Sequence, residues 1–568
     1  MKIVSKLDLS NIPDLTEERI VEQLLESRAI EDKATFLAPP DPFSLSIADF
    51  GFSEEIEQTV SLLTEIKKKK QKIVVYTDYD ADGITGGTIL WETLHLLGFD
   101  VMPYVPHRKH EGYGFSQKGI DTVKKEFDPA LIISVDHGIT AREKIAYAKS
   151  IGIDVIVTDH HLAPEILPDQ AQAIFHIPAL SGSGVAYFFS KMVFEKFGDP
   201  HSPQYEKLKQ NFGCDYTAIA SIGTIADLVP LLGASRSLVT FGLQAFNTLK
   251  RPGLTALLKD AGIEGKPITP FEVGFMIAPR INAVGRLEHA LDALRLLCTT
   301  SEDRAQQLAA KIGEQNSLRQ DLVKEAVIEA KGAVEAKKSQ GELPHILILK
   351  SDSWHEGIMG LIASKLVEAY ARPVIIMTKN DGYYKGSARS ISTFHITNFL
   401  RSLQKEYLID AGGHKQAAGF SIHEDNVAAF IQAVEQQGNL LLKTADLIPQ
   451  METDIHIPLN VISKKIVSGI QVLQPFGIGN PQPVFSSEAV ITDAKLFGKK
   501  NDHLRIFFQT PGNTLRSPLE CIAFGKADLF YTLPKGQTIT IAYQPEINTW
   551  NGREKVQARF LALMAQDD

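Results

Sequence analysis

The chain has 568 residues, of which 44% are hydrophobic and 22% charged, and its formal net charge is −9 at pH 7. This length is too great for one hydrophobic core and indicates three or four domains, while the negative charge argues against a protein that coats nucleic acid by bulk electrostatics. Three widely spaced cysteines and the lack of an apolar run of membrane length or a signal-peptide core exclude a disulfide framework and predict a cytoplasmic protein.

The first half of the chain predicts a lead-in followed by a domain with a parallel sheet. Residues 1–46 carry short helical patterns and a proline-rich stretch, so we expect them to pack on the next domain, residues 47–300. Short β-branched runs between helical segments are typical of buried parallel strands. The predicted strands are Ile73 to Tyr76, Asp100 to Val105, Leu131 to Val135 and Asp154 to Val157.

Three aspartates follow the first of these strands. Asp78, Asp80 and Asp82 alternate with other residues, so in extended backbone they share one side with neighbours about 6 to 7 Å apart. Like charges this close repel, and a cluster of them is stable only if cations neutralise it. We predict that Gly83 and Gly86-Gly87 let the backbone turn sharply there. A solvated acidic turn is the alternative.

Acidic and imidazole residues recur at the ends of the later strands. Asp136 and His137 follow the third strand, and Asp159, His160 and His161 follow the fourth. Parallel strands deliver such residues to one edge of the sheet, which predicts a shared metal site. Oxygen and imidazole ligands without thiolates favour Mn²⁺ or Mg²⁺ over zinc. A further carboxylate, at Asp227, could join the site or cap a helix.

The second half of the chain predicts three more segments. Residues 301–340 read as one long helix rich in Ala, Glu, Gln and Lys, which bridges two domains. Residues 341–445 form a second, smaller α/β domain with glycine-rich turns suited to an anionic phosphate. Residues 446–568 contain five short strands, as in an OB-type β-barrel. Its candidate stacking residues, interspersed with cations, are Phe497, Phe507, Tyr543 and Trp550.

Four motifs together resemble those of the DHH phosphoesterase family. They are Asp-Tyr-Asp-Ala-Asp-Gly at 78–83, Val-Asp-His-Gly at 135–138, Asp-His-His at 159–161 and Gly-Thr-Ile-Ala-Asp at 223–227. Within that family, nearly the whole chain is similar to the single-strand-specific 5′ to 3′ DNA exonucleases. The supporting segments are Arg108 with 111–114, 181–186, 278–283 with Gly285 and Arg286, Gly-Gly-His at 412–414, and 475–481.

The resemblance implies roles for the residues of these motifs. The implied metal ligands are Asp78, Asp80, Asp82, Asp136, His160 and Asp227, with Asp136 as the bridging carboxylate. Asp159 would orient His160, and His161 would stabilise charge at the scissile phosphate or transfer a proton. Many relatives have a histidine where this chain has Tyr76, so one metal site is expected to be weaker or to depend on Asp78.

The resemblance also implies a substrate-binding set. Ser387, Arg389 and Arg108 match positions that hold a 5′-phosphate, while His355 and His414 would contact the nearby backbone. We expect Arg280 and Arg286 to lie in a tight functional loop, although ordinary surface arginines are the alternative. The remaining members of the set are Tyr113, Asn282, Gly412 and Gly413.

The predicted function is therefore that of a single-stranded-DNA-specific 5′ to 3′ exonuclease. It would hydrolyse phosphodiester bonds by two-metal-ion catalysis and release 5′-mononucleotides in DNA recombination and repair, with a cleft too narrow for a duplex. A DHH phosphodiesterase acting on short oligonucleotides or cyclic dinucleotides and a non-catalytic replication scaffold are the alternatives. The resemblance implies a monomer and, as partners, a helicase, a single-strand-binding protein or mismatch-repair factors.

Overall fold

The computed structural model describes residues 2–12, 15–380, 382–512, 517–550 and 552–565. They form two compact units, each described here by itself. The first unit consists of Val21–Ser317 and Ile470–Gln482, and the second of the described residues of Met1–Ile20, Leu318–Gly469 and Pro483–Asp568. None of the described helices combines the length and apolarity needed to cross a bilayer.

The first unit is built on a five-stranded sheet. Its strand order is β3-β2-β4-β5-β6 and every pair is parallel, which confirms the predicted parallel sheet. The chain up to this sheet and through it contains β1 (Lys2–Asp8, in the second unit), α1 (Glu17–Ser27), α2 (Lys33–Leu37), α3 (Ser53–Lys69), β2 (Ile73–Thr77), α4 (Ala81–Leu96), β3 (Val101–Tyr104), α5 (Gln117–Phe127), β4 (Leu131–Val135), α6 (Arg142–Ser150), β5 (Asp154–Asp159) and β6 (Ala173–His176).

Two apolar layers cover this sheet. Ile73 and Val75 face the main core with α4, whereas Val74 and Tyr76 face a smaller core with α5 and α6. Burial on both faces explains the uninterrupted apolar runs that predicted the strands. The last strand, β6, was not predicted. The order of strands reverses beside β2, and open α/β sheets bind ligands at the carboxyl ends of strands at such a point.

A helical layer completes the first unit. Its elements are α7 (Gly182–Phe197), α8 (Pro203–Gly213), α9 (Asp215–Ala226), α10 (Gly233–Ala245), α11 (Pro252–Asp260), α12 (Pro270–Glu272), a π-helical turn (Val273–Ile277), α13 (Ala278–Leu287) and α14 (Leu291–Cys298). The predicted loop around Arg280 and Arg286 is wrong, because both residues lie in α13. The predicted long helix is confirmed as α15 (Glu302–Ser339).

The second unit contains a mixed five-stranded sheet of order β10-β11-β9-β8-β7. Its elements are β7 (Leu347–Lys350), α16 (Met359–Tyr370), β8 (Val374–Asn380), β9 (Tyr383–Arg389), α17 (Ile396–Tyr407), β10 (Asp410–His414), β11 (Ala417–His423) and α18 (Val427–Leu441). This confirms the second α/β domain. One of the glycine-rich turns predicted for this domain, Gly386-Ser387-Ala388-Arg389-Ser390, is wrong, because Gly386 to Arg389 belong to β9, which pairs with strands on both sides.

The second unit also contains a closed five-stranded barrel, as predicted. Neighbouring strands pair in the order β13-β14-β15-β17-β16, and β16 pairs back to β13. The elements are β12 (Gln450–His456), α19 (Lys464–Ile470), β13 (Phe485–Phe497), β14 (His503–Gln509), β15 (Leu519–Ala523), β16 (Thr538–Trp550) and β17 (Arg553–Ala565). Strand β12 extends the sheet from β13, and β1 pairs in parallel with β12. The helical patterns expected in residues 1–46 did not predict β1. The expectation that these residues pack on the domain 47–300 is wrong for β1, because its pairing with β12 places it in the second unit.

Short 3₁₀ helices connect several of these elements. They are Pro42–Ser44, Ile47–Phe50, Glu356–Ile358, Glu424–Asn426, Thr444–Leu447, Leu459–Val461, Gln471–Leu473 and Ala527–Tyr531.

Candidate metal centre

The strand ends of the first unit bring acidic residues to the point where the strand order reverses. Asp78 follows β2, Asp136 follows β4 and Asp159 ends β5. The N–H of Asp78 donates to Val135 at 3.2 Å and that of Asp136 donates to Thr158 at 3.0 Å, so the ladder of hydrogen bonds continues past the strands. The residues that follow the central strands are thereby held side by side.

Asp80 and Asp82 reach the same place from the start of α4. Asp80 is its N-cap, and its Oδ1 accepts from the N–H groups of Asp82 at 3.0 Å and Gly83 at 3.1 Å. Asp82 lies in the first helical turn. The extended backbone assumed for the three aspartates is therefore wrong from Ala81 onward, where the helix begins, although their carboxylates still converge.

The glycines of this helix allow close packing and do not form a turn. A Cβ on Gly83 would stand 2.6 Å from the carbonyl oxygen of Asp78, and one on Gly87 would stand 2.1 Å from Thr77 Cγ2. Gly86 would meet Val135 Cγ1 at 2.7 Å. The predicted sharp turn at Gly83 and Gly86-Gly87 is wrong, because all three are helical and let α4 lie directly against the ends of β2 and β4.

The amino end of α7 holds the Asp82 carboxylate. The N–H of Gly182 donates to its Oδ2 at 2.6 Å and that of Ser183 donates to its Oδ1 at 2.9 Å. Free N–H groups at a helix start attract anions, so this contact fixes the carboxylate. Sequence reasoning assigned no role to Gly182 or Ser183, although the Ser-Gly start of a helix was a visible signal.

The candidate ligands form three overlapping groups. Within each group one ligand atom per residue lies within 4.8 Å of the others: Asp78, Asp80 and Asp136; Asp82, His160 and Asp227; and Asp136, His160 and His161. His160 Nε2 is 3.1 Å from Asp136 Oδ1 and 3.4 Å from Asp227 Oδ2. Asp227 caps the carboxyl end of α9 and also belongs to the cluster. The structure thus brings together all six predicted ligands.

The electrostatics of the cluster fit divalent cations. Among the described residues, Asp78 Oδ1, Asp136 Oδ1 and His160 Nε2 are buried without a hydrogen-bond partner. Burial and the neighbouring Asp82, Asp80 and Asp78 raise the pKa of Asp136 well above its usual range. Burial and Asp82 raise the pKa of Asp227 to about 8. Unpaired ligand atoms and mutually repelling carboxylates are what bound Mn²⁺ or Mg²⁺ would satisfy.

His160 is in the state that a metal ligand requires. Burial lowers its pKa, against the opposing effect of the Asp82 charge. The neutral imidazole is the form that binds a metal ion, so burial here favours ligation. No cysteine belongs to any of the three groups.

Asp159 orients His161, which corrects the expectation that it orients His160. Asp159 Oδ1 is 2.8 Å from His161 Nδ1, and the same atom accepts from the N–H groups of both histidines. Burial lowers the pKa of His161, but the hydrogen bond and charge of Asp159 outweigh it and the net pKa is raised. His161 Nε2 lies 3.1 Å from the hydroxyl of Tyr113, which also donates to the carbonyl of Asp136 at 3.1 Å.

Tyr76 takes no part in the cluster. Its ring is fully buried against Tyr104, Phe115 and His137, and its hydroxyl donates to the carbonyl of Gly114 at 3.4 Å. The side chain therefore belongs to the smaller core beneath the sheet.

Four predicted substrate residues of the first unit lie around the cluster or on α13. The Arg108 guanidinium lies over the ring of Tyr79 at 5.1 Å. Asn282 Oδ1 accepts the N–H of Ala81 at 2.8 Å, so it touches the backbone between Asp80 and Asp82. Arg280 is half-buried and paired with Asp260 at 2.9 Å, so it is not an ordinary surface arginine. The charge of Arg286 lowers the pKa of Tyr79, against the larger raising effect of burial.

The predicted residues of the second unit meet on its mixed sheet. Ser387 pairs with Gly419, which pairs with Gly412, and Arg389 pairs with Ala417, which pairs with His414. Directly opposed residues of antiparallel strands share a face, so these side chains form two adjacent rows. Arg389 Nη2 is 2.6 Å from where a Cβ on Gly360 would stand, which places the guanidinium at the first turn of α16.

The remaining two predicted residues of this set have local roles. His355 Nδ1 accepts the N–H of Gly357 at 3.1 Å and so caps the turn that precedes α16. Gly413 has a φ of +139°, and a Cβ there would stand 2.2 Å from the carbonyl oxygen of Ala417. Only glycine fits that position without strain.

The barrel retains two of the four predicted stacking residues near its surface. Phe497 and Phe507 are half-buried, with Arg505 at 5.3 Å from the first ring and Lys495 at 6.0 Å from the second. Tyr543 is fully buried and its hydroxyl meets Ser487, so it is a core residue. The side chain of Trp550 lies outside the described residues. Phe524, which is 57% exposed, was missed.

A parallel sheet with clustered aspartates and histidines at its reversal point, followed by a smaller α/β domain, defines a phosphoesterase of the DHH class. Family models agree: the DHH family N-terminal domain matches residues 72–219, the DHHA1 domain 344–439 and the RecJ OB domain 453–561. The single-stranded-DNA-specific exonuclease RecJ of Bacillus subtilis is 32% identical over 576 residues, covering 98% of this chain and 69% of the relative. That of Haemophilus influenzae is 32% identical over 518 residues, covering 88% and 89%. The chain belongs to the RecJ exonuclease family.

Solved structures support the same assignment. The crystal structure of RecJ in complex with Mn²⁺ from Thermus thermophilus matches with a TM-score of 0.80 at 28% identity, covering 99% of this chain and 80% of that one. The corresponding Mg²⁺ complex matches with a TM-score of 0.72 at 27% identity, covering 99% and 78%. The chain therefore uses Mn²⁺ or Mg²⁺, in agreement with the oxygen and imidazole ligands of the cluster.

Proposed function

We propose that this protein hydrolyses single-stranded DNA from its 5′ end, releases 5′-mononucleotides and acts in DNA recombination and repair. The chain is a hydrolytic exodeoxyribonuclease of its family, and one observation supports the chemistry most directly. Five carboxylates and an imidazole converge at the reversal point of the sheet, with three buried ligand atoms unpartnered among the described residues.

The three groups of ligands suggest how two ions would be held. Asp78, Asp80 and Asp136 would hold one ion, and Asp82, His160 and Asp227 the other. Asp136 also lies within reach of His160, which supports its proposed bridging role. Bound ions would act as Lewis acids on the phosphodiester and lower the pKa of the attacking water.

His161 is proposed to stabilise charge at the scissile phosphate. Its raised pKa, due to Asp159, favours the imidazolium, which donates a hydrogen bond from Nε2 to an anionic oxygen. The Tyr113 hydroxyl, 3.1 Å from that nitrogen, would hold the ring in place until the substrate arrives. Transfer of the Nε2 proton to the leaving oxygen is the alternative role.

Recognition of the 5′-phosphate is proposed for the second unit. Ser387 and Arg389 point to one face of β9, and Arg389 lies at the amino end of α16, where N–H groups favour an anion. Gly412 lies in the same row across the sheet as Ser387, and His414 lies in the same row as Arg389. Gly413 and His355 shape the backbone around them.

The barrel is proposed to bind the strand farther from its end. Phe497 and Phe524 flank His503 at ring distances of 5.3 and 5.4 Å, and Arg505 lies over Phe497. Aromatic rings interspersed with cations stack bases without reading sequence.

We infer domains at 47–300, 341–445 and 446–568, with 1–46 as a lead-in and 301–340 as a connecting helix; the matched ranges of the family models support this division. Two segments depart from it, because Ile470–Gln482 belongs to the first unit and the described residues of Met1–Ile20 belong to the second. A cytoplasmic location and a monomer are also proposed. A helicase, a single-strand-binding protein and mismatch-repair factors are the proposed protein partners.

A cleavage assay tests the function. The purified protein with Mn²⁺ should release mononucleotides from 5′-labelled single-stranded DNA and should leave a dinucleotide and blunt duplex DNA largely intact. Asp136→Ala should abolish release, because Asp136 belongs to two of the three ligand groups. Faster turnover of the dinucleotide would instead assign the protein to small-substrate phosphodiesterases, and equal activity of the variant would remove catalysis from this cluster.

A further inference from the structure

A cavity of about 460 Å³ opens directly beside the metal cluster, within the first unit. Its lining includes Ala226 and Leu228, the neighbours of Asp227, and also Asn282. Asn282 accepts the N–H of Ala81, between Asp80 and Asp82. The cavity therefore shares a wall with the cluster, and its size lies in the range of about 300–1,000 Å³ typical of ligand sites.

Two exposed phenyl rings form one side of this cavity. Phe271 and Phe275 stack with ring centroids 4.9 Å apart and planes inclined by 27°. Phe271 is 56% exposed, Phe275 is 69% exposed and the adjoining Leu228 is 65% exposed. Soluble proteins rarely expose apolar side chains grouped like this unless they contact a ligand or partner.

The opposite side is formed by a distant segment that is firmly held. Phe476 and Ile478, which line the cavity on this side, belong to the segment Ile470–Gln482. Asn480 is fully buried and donates to the carbonyls of Leu473 at 2.7 Å and Pro475 at 2.9 Å. The carbonyl of Ile478 accepts the N–H of Leu231 at 2.7 Å, so the two sides of the cavity are tied together.

Buried Arg236 holds the same segment. Its guanidinium donates to the carbonyls of Leu473 at 3.1 Å, Gln474 at 2.7 Å and Pro475 at 3.3 Å, and stacks on Phe36 at 3.8 Å. The cavity thus has two preformed sides, which lowers the entropy cost of binding a ligand between them.

The lining is apolar and uncharged. None of the described residues around the cavity is ionisable, and its only side-chain amides belong to Asn282 and Gln482. Such a lining suits a flat aromatic base and excludes a phosphate. It would also accept all four bases, because an amide can both donate and accept hydrogen bonds.

We propose that this cavity binds the base of a nucleotide next to the scissile phosphate, stacked on Phe271 and Phe275. The inference rests on the proposed exonuclease function and adds a base-binding site to it. A protein partner is disfavoured, because the cavity adjoins the cluster at which the strand must be cut. The phosphate of the bound nucleotide then lies toward the ions while its base is held away from water.

Abasic substrates test this directly. First-bond cleavage is measured for the full-length protein on 5′-phosphorylated single strands that are intact or lack the base at nucleotide 1 or 2. Removing the base at one of these positions should lower kcat/KM by roughly 5- to 150-fold, the usual effect of losing one base–aromatic stack. The double variant Phe271→Ala, Phe275→Ala should show that loss on the intact strand and no further loss on the abasic one.

The controls separate the possible failures. Both rings are largely exposed, so the double variant should keep the wild-type Tm, and Ile166→Ala, at a residue 61% exposed in the same unit, should retain the full abasic effect. Additive losses, or wild-type cleavage by the double variant, would overturn the proposal. Wild-type cleavage together with lost binding of a protein would assign the cavity to a protein partner. If the wild-type protein shows no Mn²⁺-dependent cleavage at all, the proposed exonuclease function is wrong, and the base-binding site that rests on it is wrong as well.

Discussion

At the scale of single residues, neighbouring histidines in one motif have different environments. His160 is directed at the carboxylates, whereas His161 is held by Asp159 and Tyr113. Burial lowers the pKa of His160, but Asp159 raises that of His161 despite burial. One ring is thereby suited to bind a metal ion and the other to carry a proton.

Asp159→Asn should lower activity by about 10- to 100-fold, the usual cost of losing a hydrogen-bonding group that surrounds a metal site. Asp159 raises the pKa of His161, so its neutralisation lowers that pKa and the imidazolium is lost at a lower pH. The alkaline limb of the kcat/KM profile should therefore move to lower pH. Tyr113→Phe is the control, because it keeps the Asp159 charge and should leave that limb in place. An unshifted limb in Asp159→Asn would contradict the role of His161.

Protonation of buried His137 is expected to lower the free energy of unfolding at acid pH. The imidazole is buried, bonds to the carbonyl of Tyr76 at 3.0 Å, and burial lowers its pKa to about 4. A histidine with a depressed pKa contributes stability above its unfolded pKa, about 6.5, and loses it as the pH falls through the folded value. Metal-free wild type should therefore lose roughly 3 kcal/mol of unfolding free energy between pH 7 and 4 on this account. Denaturant titrations should show that His137→Gln lacks this loss; parallel pH curves would refute it.

At the scale of elements, the sheet was more predictable than the helices beside it. Strands β2, β4 and β14 follow from apolar or alternating runs that their burial requires. The glycines of α4 could not be interpreted locally, since their need for glycine comes from Thr77 and Val135 on other elements. Gly386 to Arg389 were interpreted as a turn because the need for glycine there also comes from another element. Gly386, in β9, makes room for the ring of Phe420 in β11.

Gly223→Ala should disrupt the metal centre, although Gly223 is not a ligand and lies in α9, whose one proposed ligand is its cap Asp227. A Cβ on Gly223 would stand 2.4 Å from Asp82 Oδ1 and 2.2 Å from Ser183 Oγ, so the carboxylate would have to move. We expect at least tenfold weaker Mn²⁺ binding by calorimetry. Gly332→Ala is the matched control: it lies in α15 with nothing within 4 Å and should stabilise the protein by about 0.5–1 kcal/mol. Unchanged Mn²⁺ affinity in Gly223→Ala would show that Asp82 is not a ligand.

At the scale of the whole molecule, the acidic cluster makes stability depend on metal ions and pH together. In the metal-free protein, carboxyl groups with raised pKa values favour folding at low pH and oppose it as the pH rises through the folded values, to about 8 for Asp227. Ions bind the deprotonated form, so their effect should grow with pH.

The Tm increase caused by Mn²⁺ should therefore be larger at pH 8 than at pH 6. At 100 times its Kd, one bound ion contributes about 2.7 kcal/mol. Excess EDTA should reverse the increase, and Asp136→Ala should reduce both the Mn²⁺ effect and its pH dependence in differential scanning calorimetry. A Tm increase that is equal at both pH values would contradict ligation by these carboxylates.

Contacts between segments far apart in the sequence were the part of the fold that could not be predicted. The four motifs predicted the cluster because their residues lie at strand ends, where position follows from the sheet. Strand β1 could not be predicted in the same way, since its partner β12 begins at Gln450 and its own burial alternates only weakly. Nor does any local pattern show that Ile470–Gln482 belongs with the first unit.

The return of Ile470–Gln482 to the first unit affects any attempt to excise that unit. A fragment ending near residue 317 would leave the Arg236 guanidinium without three of its four carbonyl acceptors and would uncover the surface on which Ile470–Gln482 packs. Such a fragment would be prone to misfold or aggregate even though its sheet and ligands were intact. Cleavage of the backbone between Gln482 and Phe485 should destabilise the first unit less than this truncation. The hydrogen bonds from Arg236 would still hold Ile470–Gln482 against the unit.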